Sequence, residues 1–317
     1  MEEDSKMIDL HNHILYAQDD GAETLEESVE MCRISYQDGI RTIVATPHIL
    51  PGIYENDRST ILSRVAELNN ALAKLSVERS AFGVKNLDSM TQLPNNSSRQ
   101  GDPMSQFLRD ARSQGGRSAL ASEFRDRDFH ASTHSRVDSS DVIKILPGAD
   151  VHFSSDLLDR LKRKEIVTVN DQGRCLMVEF ESQGIPHKAE EALFQMLTKG
   201  IVPIISHPER NMEIGKKPKR YYEMVRMGCL GQVTAMSLTG EFGPEIKRSA
   251  EKLLAKRLIH IIASDAHSPH RRPPMLSAGV KAAEKIVGKE EARKMVSEYP
   301  KALIEGRRPD VPEPLSI

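Results

Sequence analysis

Residues 7–21, MIDLHNHILYAQDDG, combine an apolar run of the β-strand type with polar groups that a buried strand does not need. His11 and His13 are two residues apart, so on an extended backbone both side chains project to the same face and could chelate one ion. Asp9 shares that face, and we expect it to orient the two imidazoles. The run stops at paired aspartates and a glycine, where Asp20 begins a loop. This chemistry predicts a metal site at the end of the first strand.

Six further apolar runs follow, and longer amphipathic stretches separate them. This alternation is typical of repeated β-α units around a parallel sheet, and seven runs predict an α/β barrel. The predicted strands are residues 7–11, 41–46, 143–148, 175–180, 201–206, 230–234 and 259–264. The first predicted helix begins at Thr24, which forms a capping box with Glu27, and ends at Gly39. Other helices are expected to start near Ser59, Ser154, Pro186, Pro218, Pro244 and Met275.

Residues 77–141 interrupt this alternation. They are rich in Ser, Arg, Asp and Gln and lack sustained hydrophobic periodicity, which predicts low order. Helix-to-strand connections usually have about 2–6 residues, so the segment is an insertion between a helix and the third strand. It could be a linker, a docking segment for a partner, or an aberrant sequence. The predicted division is a polar leader at 1–6, one barrel domain at 7–76 and 142–304, this insertion, and a C-terminal tail at 305–317.

Composition excludes several classes of protein. The formal net charge of −2 and the low aromatic content offer no track for nucleic acid. No apolar run approaches the roughly 20 residues of a membrane span. The three cysteines, Cys32, Cys175 and Cys229, are far apart, as expected for core residues in a reducing cytoplasm. None has an arginine six residues later, so a cysteine-dependent phosphatase is excluded. We therefore expect a cytoplasmic protein without nucleic-acid partners or membrane insertion.

Residues with metal-binding side chains follow most of the predicted strands. In a β/α barrel the C-terminal ends of the strands build the active site, so residues from separate strands converge there. A single histidine at a strand end is more often a structural residue, but the whole set favours one centre. Imidazoles mixed with carboxylates, without cysteine, suit Mn²⁺, Fe²⁺ or catalytic Zn²⁺. Beyond the first strand, these residues are Asp20, His48, Asp150, Glu179, His207, Asp265 and His267.

Six motifs in the same order resemble those of the PHP (polymerase and histidinol phosphatase) superfamily. They are MIDLHNHIL with DDG, VATPH, PGADV, VEF, SHPERN and ASDAHSPHRRPP. Within it, the chain is most similar to the bacterial manganese-dependent protein-tyrosine phosphatases of capsular and exopolysaccharide operons. The resemblance covers Met7 to Pro300 apart from the insertion. It implies a distorted TIM-like (β/α)7 barrel of the PHP type that holds up to three Mn²⁺ ions, with Fe²⁺ or Zn²⁺ as alternatives.

The resemblance also implies which residues hold each ion. The first ion would be held by His11, His13, Asp265 and Asp150, the second by Asp150, Glu179 and His207, and the third by Asp20, His48 and His267. Asp150 would bridge two ions at a position where the family normally has glutamate. This departure could lengthen or break one metal contact. Closely spaced ions acidify water and stabilise the attacking and leaving oxygens of an in-line displacement.

Arg210 and Arg272 match the arginines that bind phosphate in the family, and we assign them as the catalytic residues. A guanidinium binds phosphate oxygens in a bidentate way that lysine cannot. Arg271 and His270 adjoin Arg272, so an alignment slip of one residue remains open.

The resemblance implies a metal-dependent phosphomonoesterase that hydrolyses phosphotyrosine on proteins. The expected partner is the tail of a bacterial tyrosine kinase that controls capsule and exopolysaccharide synthesis, and oligomerisation remains open. The alternatives are a phosphatase for a small metabolite, such as a histidinol-phosphatase, and a non-catalytic PHP binding module. Substrate choice is expected to depend on the loops ILPGIYEND, ESQGIPHK and TAMSLTGEFG.

Overall fold

The computed structural model describes residues 6–82, with side chains as far as residue 75, and residues 143–317. Met1–Val77 and Asp141–Ile317 belong to one unit, and Glu78–Ser140 to a second. Nearly all of the predicted insertion at 77–141 lies outside the described residues, as does most of the predicted leader at 1–6. The domain boundaries therefore stay a prediction.

The strands of the described residues are short, and all pairs among them are parallel. Two sheets are formed, with the strand orders β1-β2-β4 and β3-β5-β6-β7-β8-β9. The bounds are β1 Met7–Asn12, β2 Ile40–Ala45, β3 His48–Ile49, β4 Lys144–Pro147, β5 Asp150–His152, β6 Cys175–Glu179, β7 Val202–Ser206, β8 Leu230–Thr234 and β9 Ile261–Ala263. All seven predicted strands are present.

Two short strands lie just beyond the ends of predicted strands. β3 continues β2 after a break of two residues, and β5 continues β4 in the same way. Pro47 lies in the first break, and its carbonyl accepts a hydrogen bond from the Asp150 amide at 3.2 Å. Gly148 lies in the second, where a β-carbon would be 2.6 Å from Val44 Cγ1. The strands β3 and β5 were not predicted, because the apolar runs end at Thr46 and Gly148, before these strands begin.

The barrel closes between its first and last strands. Asn12 forms a parallel bridge with Ala266. The Asp265 amide donates to the His11 carbonyl at 2.8 Å, and the His13 amide donates to the Ala266 carbonyl at 2.9 Å. With β2 and β3 counted as one strand, and β4 and β5 as another, the result is a distorted seven-stranded β/α barrel. The predicted fold class is confirmed.

Helices follow the strands, and the first begins as predicted. Thr24 Oγ1 accepts a hydrogen bond from the Glu27 amide at 3.2 Å, although the Glu27 carboxylate accepts from the Glu23 amide and not from Thr24. Gly39, with φ +96°, follows the end of this helix. The bounds are α1 Leu25–Gln37, α2 Arg58–Phe82, α3 Leu157–Lys162, α4 Ala189–Thr198, α5 Met212–Lys216, α6 Lys219–Met227, α7 Ala235–Thr239, α8 Pro244–Ala255, α9 Ser277–Val287, α10 Lys289–Lys294 and α11 Glu298–Ile304. The short helices α5, α7, α10 and α11 were not predicted.

One apolar cluster contains a residue from each of the seven barrel strands. This cluster therefore fills the barrel interior. A second cluster lies between the strands and the surrounding helices. Side chains alternate along a strand, so residues two positions beyond the interior cluster face the same way. Met177, Ile204 and Leu230 are thus followed by Glu179, Ser206 and Gln232. The interior set is Leu10, Val44, Leu146, Met177, Ile204, Leu230 and Ile261.

The remaining expectations about the core are also met. Cys32, Cys175 and Cys229 are free and buried, as predicted. Among the described residues, no helix combines the length and apolar character that crossing a bilayer requires. A cytoplasmic location stays a prediction.

A buried histidine near the base of the barrel makes stability depend on pH. His260 Nδ1 accepts a hydrogen bond from the Gly231 amide at 3.0 Å. Burial, together with the charge of Arg308, lowers the pKa of His260 to about 3. The unfolded chain protonates this histidine near its usual pKa of about 6.5. As pH falls from that value, the unfolded state binds a proton that the folded state refuses, so stability is lost.

We expect His260→Asn to reduce this loss, because an asparagine oxygen can accept from Gly231 but does not titrate. Between pH 6.5 and 4, the free energy of unfolding of the wild type should fall more steeply than that of His260→Asn. The difference between the two slopes should be up to about 1.4 kcal/mol per pH unit. Urea denaturation at several pH values measures both slopes. Equal slopes in the two proteins would contradict the assignment.

Candidate metal centre

The nine predicted ligands all lie at the carboxyl end of the barrel. His11 and Glu179 belong to the ends of strands, His48 and Asp150 begin the short strands after the breaks, and the others lie in the loops that follow strands. All except Asp20 and His48 are buried. Ligand atoms within 4.8 Å of one another define four overlapping groups in the described part of the chain. These are His13, Asp20, His48 and His267; His11, Asp150 and His207; His11, His13 and Asp265; and His48, His152 and Glu179.

The group of His11, His13 and Asp265 joins the first strand to the last. The Nε2 atoms of His11 and His13 are 3.0 Å apart. Asp265 Oδ1 lies 3.6 Å from His11 Nε2 and 3.4 Å from His13 Nε2. Asp150 reaches the same place, with Oδ2 at 3.5 Å from His11 Nε2. The four residues predicted for the first ion are therefore neighbours.

The residues predicted for the third ion also meet. Asp20 Oδ1 lies 3.6 Å from His48 Nε2 and 3.5 Å from His267 Nε2. His13 joins this group, and its ring centroid is 3.9 Å from that of His267. His13 thus lies between the first and third groups.

His207 lies between the two carboxylates predicted to share the second ion. Its Nε2 is 3.9 Å from Asp150 Oδ2 and 3.3 Å from Glu179 Oε1. Asp150 belongs to a group with His11 and His207, whereas Glu179 belongs to a group with His48 and His152. This part of the centre is the least compact.

The residues that orient the two strand histidines differ from the prediction. His11 Nδ1 is 2.9 Å from Gln232 Oε1, and His13 Nδ1 is 2.7 Å from Asp19 Oδ2. The expectation that Asp9 orients these imidazoles was wrong. Asp9 accepts hydrogen bonds from the side chain of Asn12 and from Ser264, at the junction of the first and last strands. A local alternation pattern cannot show these partners, because Ser264 is far away in the chain.

Two of the predicted ligands have unusual backbone conformations. His207 has φ 31° and ψ 56°, and Asp265 has φ 51°. Non-glycine residues in the left-handed region cost on the order of 1–3 kcal/mol and often mark functional sites. His207 directly follows the buried strand β7, and Asp265 comes two residues after the end of β9, so both left-handed residues lie where the chain leaves a buried strand.

Two arginines border the cluster and share one carboxylate. Arg210 Nη2 donates to Thr234 Oγ1 at 2.7 Å and to Asp265 Oδ2. Arg272 Nη2 lies 2.6 Å from the same Asp265 oxygen. Phe242 packs against both guanidinium groups, with its ring centroid 4.5 Å from the Arg210 carbon and 5.7 Å from the Arg272 carbon. Arg271 is exposed, so Arg272 is the arginine that faces the site.

The charges of the cluster control its protonation. Burial alone would raise the pKa of Asp265, but Arg210 and Arg272 hold that pKa well below its usual value. Burial and the charge of Arg210 lower the pKa of His207, so its imidazole is neutral. Burial raises the pKa of Asp150, against the influence of His11. Burial lowers the pKa of His48, but Glu179 outweighs it and raises that pKa to about 9, so a bound ion would have to displace this proton, because metal ions bind neutral imidazoles and ionised carboxylates.

Several buried atoms in the cluster fit a cation. Asp150 Oδ2 has no hydrogen-bond partner among the described residues, while His48 Nδ1 and Glu179 Oε2 contact other side chains of the candidate groups. An orphaned atom such as Asp150 Oδ2 is costly in a protein interior unless an ion or water satisfies it. All three belong to groups whose ligand atoms lie within 4.8 Å of one another. The residues present therefore fit divalent ions bound by imidazole nitrogen and carboxylate oxygen.

Sequence reasoning did not identify four residues of the centre. His152, Asp19, Gln232 and Phe242 each contact a predicted site residue. A signal existed for two of them, because His152 is two residues after Asp150 and Gln232 is two residues after the interior residue Leu230. The contacts of Phe242 depend on the fold of a loop, which the sequence pattern does not show.

The site and fold together define a β/α barrel with a candidate centre for several divalent ions. The particular family follows from comparison with known proteins. The family model for capsular polysaccharide synthesis, CpsB/CapC, matches residues 7–85 and 116–305, and the chain belongs to this family. Residues 86–115, within the predicted insertion, lie outside the match.

Individual relatives agree with this assignment. The chain is 29% identical over 284 residues to the tyrosine-protein phosphatase YwqE of Bacillus subtilis (strain 168), covering 90% of this chain and 86% of YwqE. It is 26% identical over 303 residues to the tyrosine-protein phosphatase CpsB of Streptococcus pneumoniae, covering 94% of this chain and 98% of CpsB. A chain from the crystal structures of YwqE and CpsB, described there as metal-dependent tyrosine phosphatases, superimposes with a TM-score of 0.74. It is 26% identical, and the match covers 98% of this chain and 99% of that one.

Gly21 provides a test of how the DDG loop supports the centre. The Asp19 carboxylate accepts from the Gly21 amide at 2.9 Å and also holds the His13 ring. A β-carbon at Gly21 would lie 2.1 Å from the His13 carbonyl oxygen and 2.6 Å from His13 Cβ. We expect Gly21→Ala to displace His13, to lower stability by about 1–3 kcal/mol and to weaken metal binding.

Gly215→Ala is the matched control. Gly215 lies inside α5, and among the described residues a β-carbon there would meet only Ser249 Oγ of α8, at 3.6 Å. Alanine is the better helix former, so this variant should be neutral or slightly stabilised. Thermal unfolding and metal content after gel filtration compare the two variants. Wild-type metal content and stability in Gly21→Ala would disprove the role given to the loop.

Proposed function

We propose that this chain is a metal-dependent phosphatase that hydrolyses phosphotyrosine on proteins. The observation that carries the proposal is a pair of arginines with unpartnered donors beside the histidine and carboxylate cluster. Arg210 Nε and Arg272 Nε make no hydrogen bond within the described residues, whereas Arg272 Nη2 is paired with Asp265. Buried cationic donors without partners favour an anionic ligand, and phosphate matches the planar guanidinium.

Asp265 would connect the metal-binding residues of this site to the phosphate-binding arginines. Its Oδ1 faces His11 and His13, while its Oδ2 holds Arg210 and Arg272. The carboxylate can therefore bind an ion on one side and fix the arginine side chains on the other. A phosphate bound by the free guanidinium nitrogens would then lie next to the cluster. Phe242 limits the positions that both arginines can adopt, which lowers the entropic cost of binding.

Three groups of residues would hold the ions. The first is His11, His13, Asp150 and Asp265, the second is Asp150, Glu179 and His207, and the third is Asp20, His48 and His267. Bound divalent ions supply Lewis acidity and an activated water for phosphate ester hydrolysis. We propose Mn²⁺ as the ion, because a mixed imidazole and carboxylate set without thiolate suits it, and Fe²⁺ or Zn²⁺ could replace it.

A phosphotyrosine substrate agrees with the chemistry of the site. A tyrosinate leaving group, with a pKa of about 10, departs more readily than an alkoxide, so a strong general acid is not required. Tyr54 stacks on His48 with ring centroids 5.7 Å apart, and the neighbouring Ile53 is exposed. These residues place apolar surface beside the cluster, where an aromatic substrate could pack. The tail of a bacterial tyrosine kinase in capsule or exopolysaccharide synthesis is the proposed partner.

The first test is hydrolysis after removal and return of metal. We expect a chelator to abolish hydrolysis of a phosphotyrosine peptide and Mn²⁺ to restore it. His207→Ala, which removes a nitrogen between the two carboxylates, should lower activity at least 100-fold. Histidinol phosphate is assayed in parallel. Strong preference for it would replace the proposed substrate, and inactivity of the metal-loaded protein toward both would favour a binding module.

The second test concerns the phosphate-binding arginines. Arg272→Lys keeps the charge but loses the bidentate donors, and we expect kcat/KM to fall by about 100-fold. Arg271→Lys is the matched control, since Arg271 is exposed beside it and should tolerate the change. Steady-state kinetics with a phosphotyrosine peptide compare them. A larger loss in Arg271→Lys would move the assignment by one residue.

A further inference from the structure

His152 is an additional histidine in the centre, and none of the predicted ligand sets contains it. It ends β5, two residues after Asp150, so both side chains project to the same face of the strand. Its Cα pairs with that of Glu179 on the adjacent strand. His152 Nε2 lies 2.5 Å from Glu179 Oε2, and its side chain is 20% exposed. The imidazole therefore borders both the cluster and the open face of the site.

The surroundings of Glu179 leave a position for an ion. Oε2 lies 3.3 Å from His48 Nδ1 and 2.5 Å from His152 Nε2, so one carboxylate oxygen faces two imidazole nitrogens. His48, His152 and Glu179 offer two nitrogens and one oxygen within 4.8 Å of one another. The other Glu179 oxygen, Oε1, faces His207. Glu179 can thus ligate on two sides, and His152 completes one of them.

Asp150 explains why an additional ligand is needed. Its side chain is one carbon shorter than that of glutamate, which reduces its reach by roughly 1.5 Å. Ser206 Oγ donates to Asp150 Oδ1 at 2.5 Å, which leaves Oδ2 to face the ions. That oxygen is 3.5 Å from His11 Nε2 but 3.8 Å from His48 Nδ1. One Asp150 oxygen therefore faces both histidines, slightly nearer to His11, and Glu179 Oε2 is the carboxylate oxygen nearer to His48 Nδ1.

We propose that His152 is a metal ligand, together with His48 and Glu179, and that it compensates for the short carboxylate at position 150. This inference rests on the proposed metal dependence of the site. It adds a ligand and assigns Glu179 and His48 Nδ1 to one ion, in place of the His48 Nε2 contact with the third ion, since a neutral imidazole binds a single ion. The donor set is two imidazoles and one carboxylate, which suits Mn²⁺, Fe²⁺ or Zn²⁺ and leaves positions open.

A simpler role for His152 would be to orient Glu179 by a hydrogen bond. Two variants separate these roles. His152→Gln keeps a donor near Glu179 but removes the imidazole nitrogen, whereas His152→Ala removes both. If His152 is a metal ligand, both variants lose metal affinity. If His152 only positions Glu179, His152→Gln largely keeps that affinity. His187→Ala is the control, because His187 is exposed and belongs to none of the four groups.

The experiment measures Mn²⁺ affinity and stoichiometry by titration, and the visible absorption of the Co²⁺-loaded protein. We expect both His152 variants to bind one ion at least about tenfold more weakly and to change the Co²⁺ spectrum. Asp150→Glu combined with His152→Ala should restore the affinity, since the longer side chain at position 150 can reach the ion that His152 would otherwise bind. Circular dichroism checks that each variant is folded.

Other outcomes overturn the inference. Wild-type affinity and spectrum in His152→Gln exclude His152 as a ligand, whether or not His152→Ala binds more weakly. Failure of Asp150→Glu to restore binding in the His152→Ala background excludes the compensation. A wild-type protein that binds the ions but does not hydrolyse phosphotyrosine contradicts the proposed function alone, because the ligand test does not depend on activity.

Discussion

Closure of the barrel between β1 and the chain after β9 is the constraint on which the centre depends. The hydrogen bonds from Asp265 to His11 and from His13 to Ala266 bring two distant segments into register. Asp9 adds to this junction by accepting from both the amide and the hydroxyl of Ser264. The imidazoles of the first strand can face the Asp265 carboxylate only if this junction forms. Assembly of the site is therefore coupled to completion of the fold.

The cluster would be unfavourable if its charges were not balanced. Burial alone disfavours ionised carboxylates and protonated imidazoles. Asp265 is nevertheless kept ionised by Arg210 and Arg272, and Glu179 is kept ionised by His48 and His152. Orphaned atoms such as Asp150 Oδ2 remain, however, which protein groups alone do not satisfy. A centre that is only partly compensated is suited to bind ions and an anionic substrate, because both complete the balance.

The sequence predicts much of this arrangement, since the relevant patterns are local. Seven apolar runs mark the strands, and residues just after them converge because parallel strands share one carboxyl end. Long-range partners were missed for a physical reason. Gln232 orients His11 from a strand 221 residues away, and Asp9 accepts from Asn12 and the distant Ser264 and not from an imidazole. The strand breaks before His48 and Asp150 depend on pairing between strands, which hydrophobic alternation does not encode.

The breaks also account for the least regular part of the centre. His48 and Asp150 pair with each other across β3 and β5, in a sheet separate from that of β1 and β2. Their positions therefore depend on β6, which pairs with β5 and carries Glu179. A shorter side chain at Asp150 cannot be corrected by moving its strand, because the same strand sets the distance between His152 and Glu179. The same register places Asp150 beside His48 and His152 beside Glu179. The pairing of β3, β5 and β6 thus fixes the positions of both Asp150 and His152 relative to Glu179.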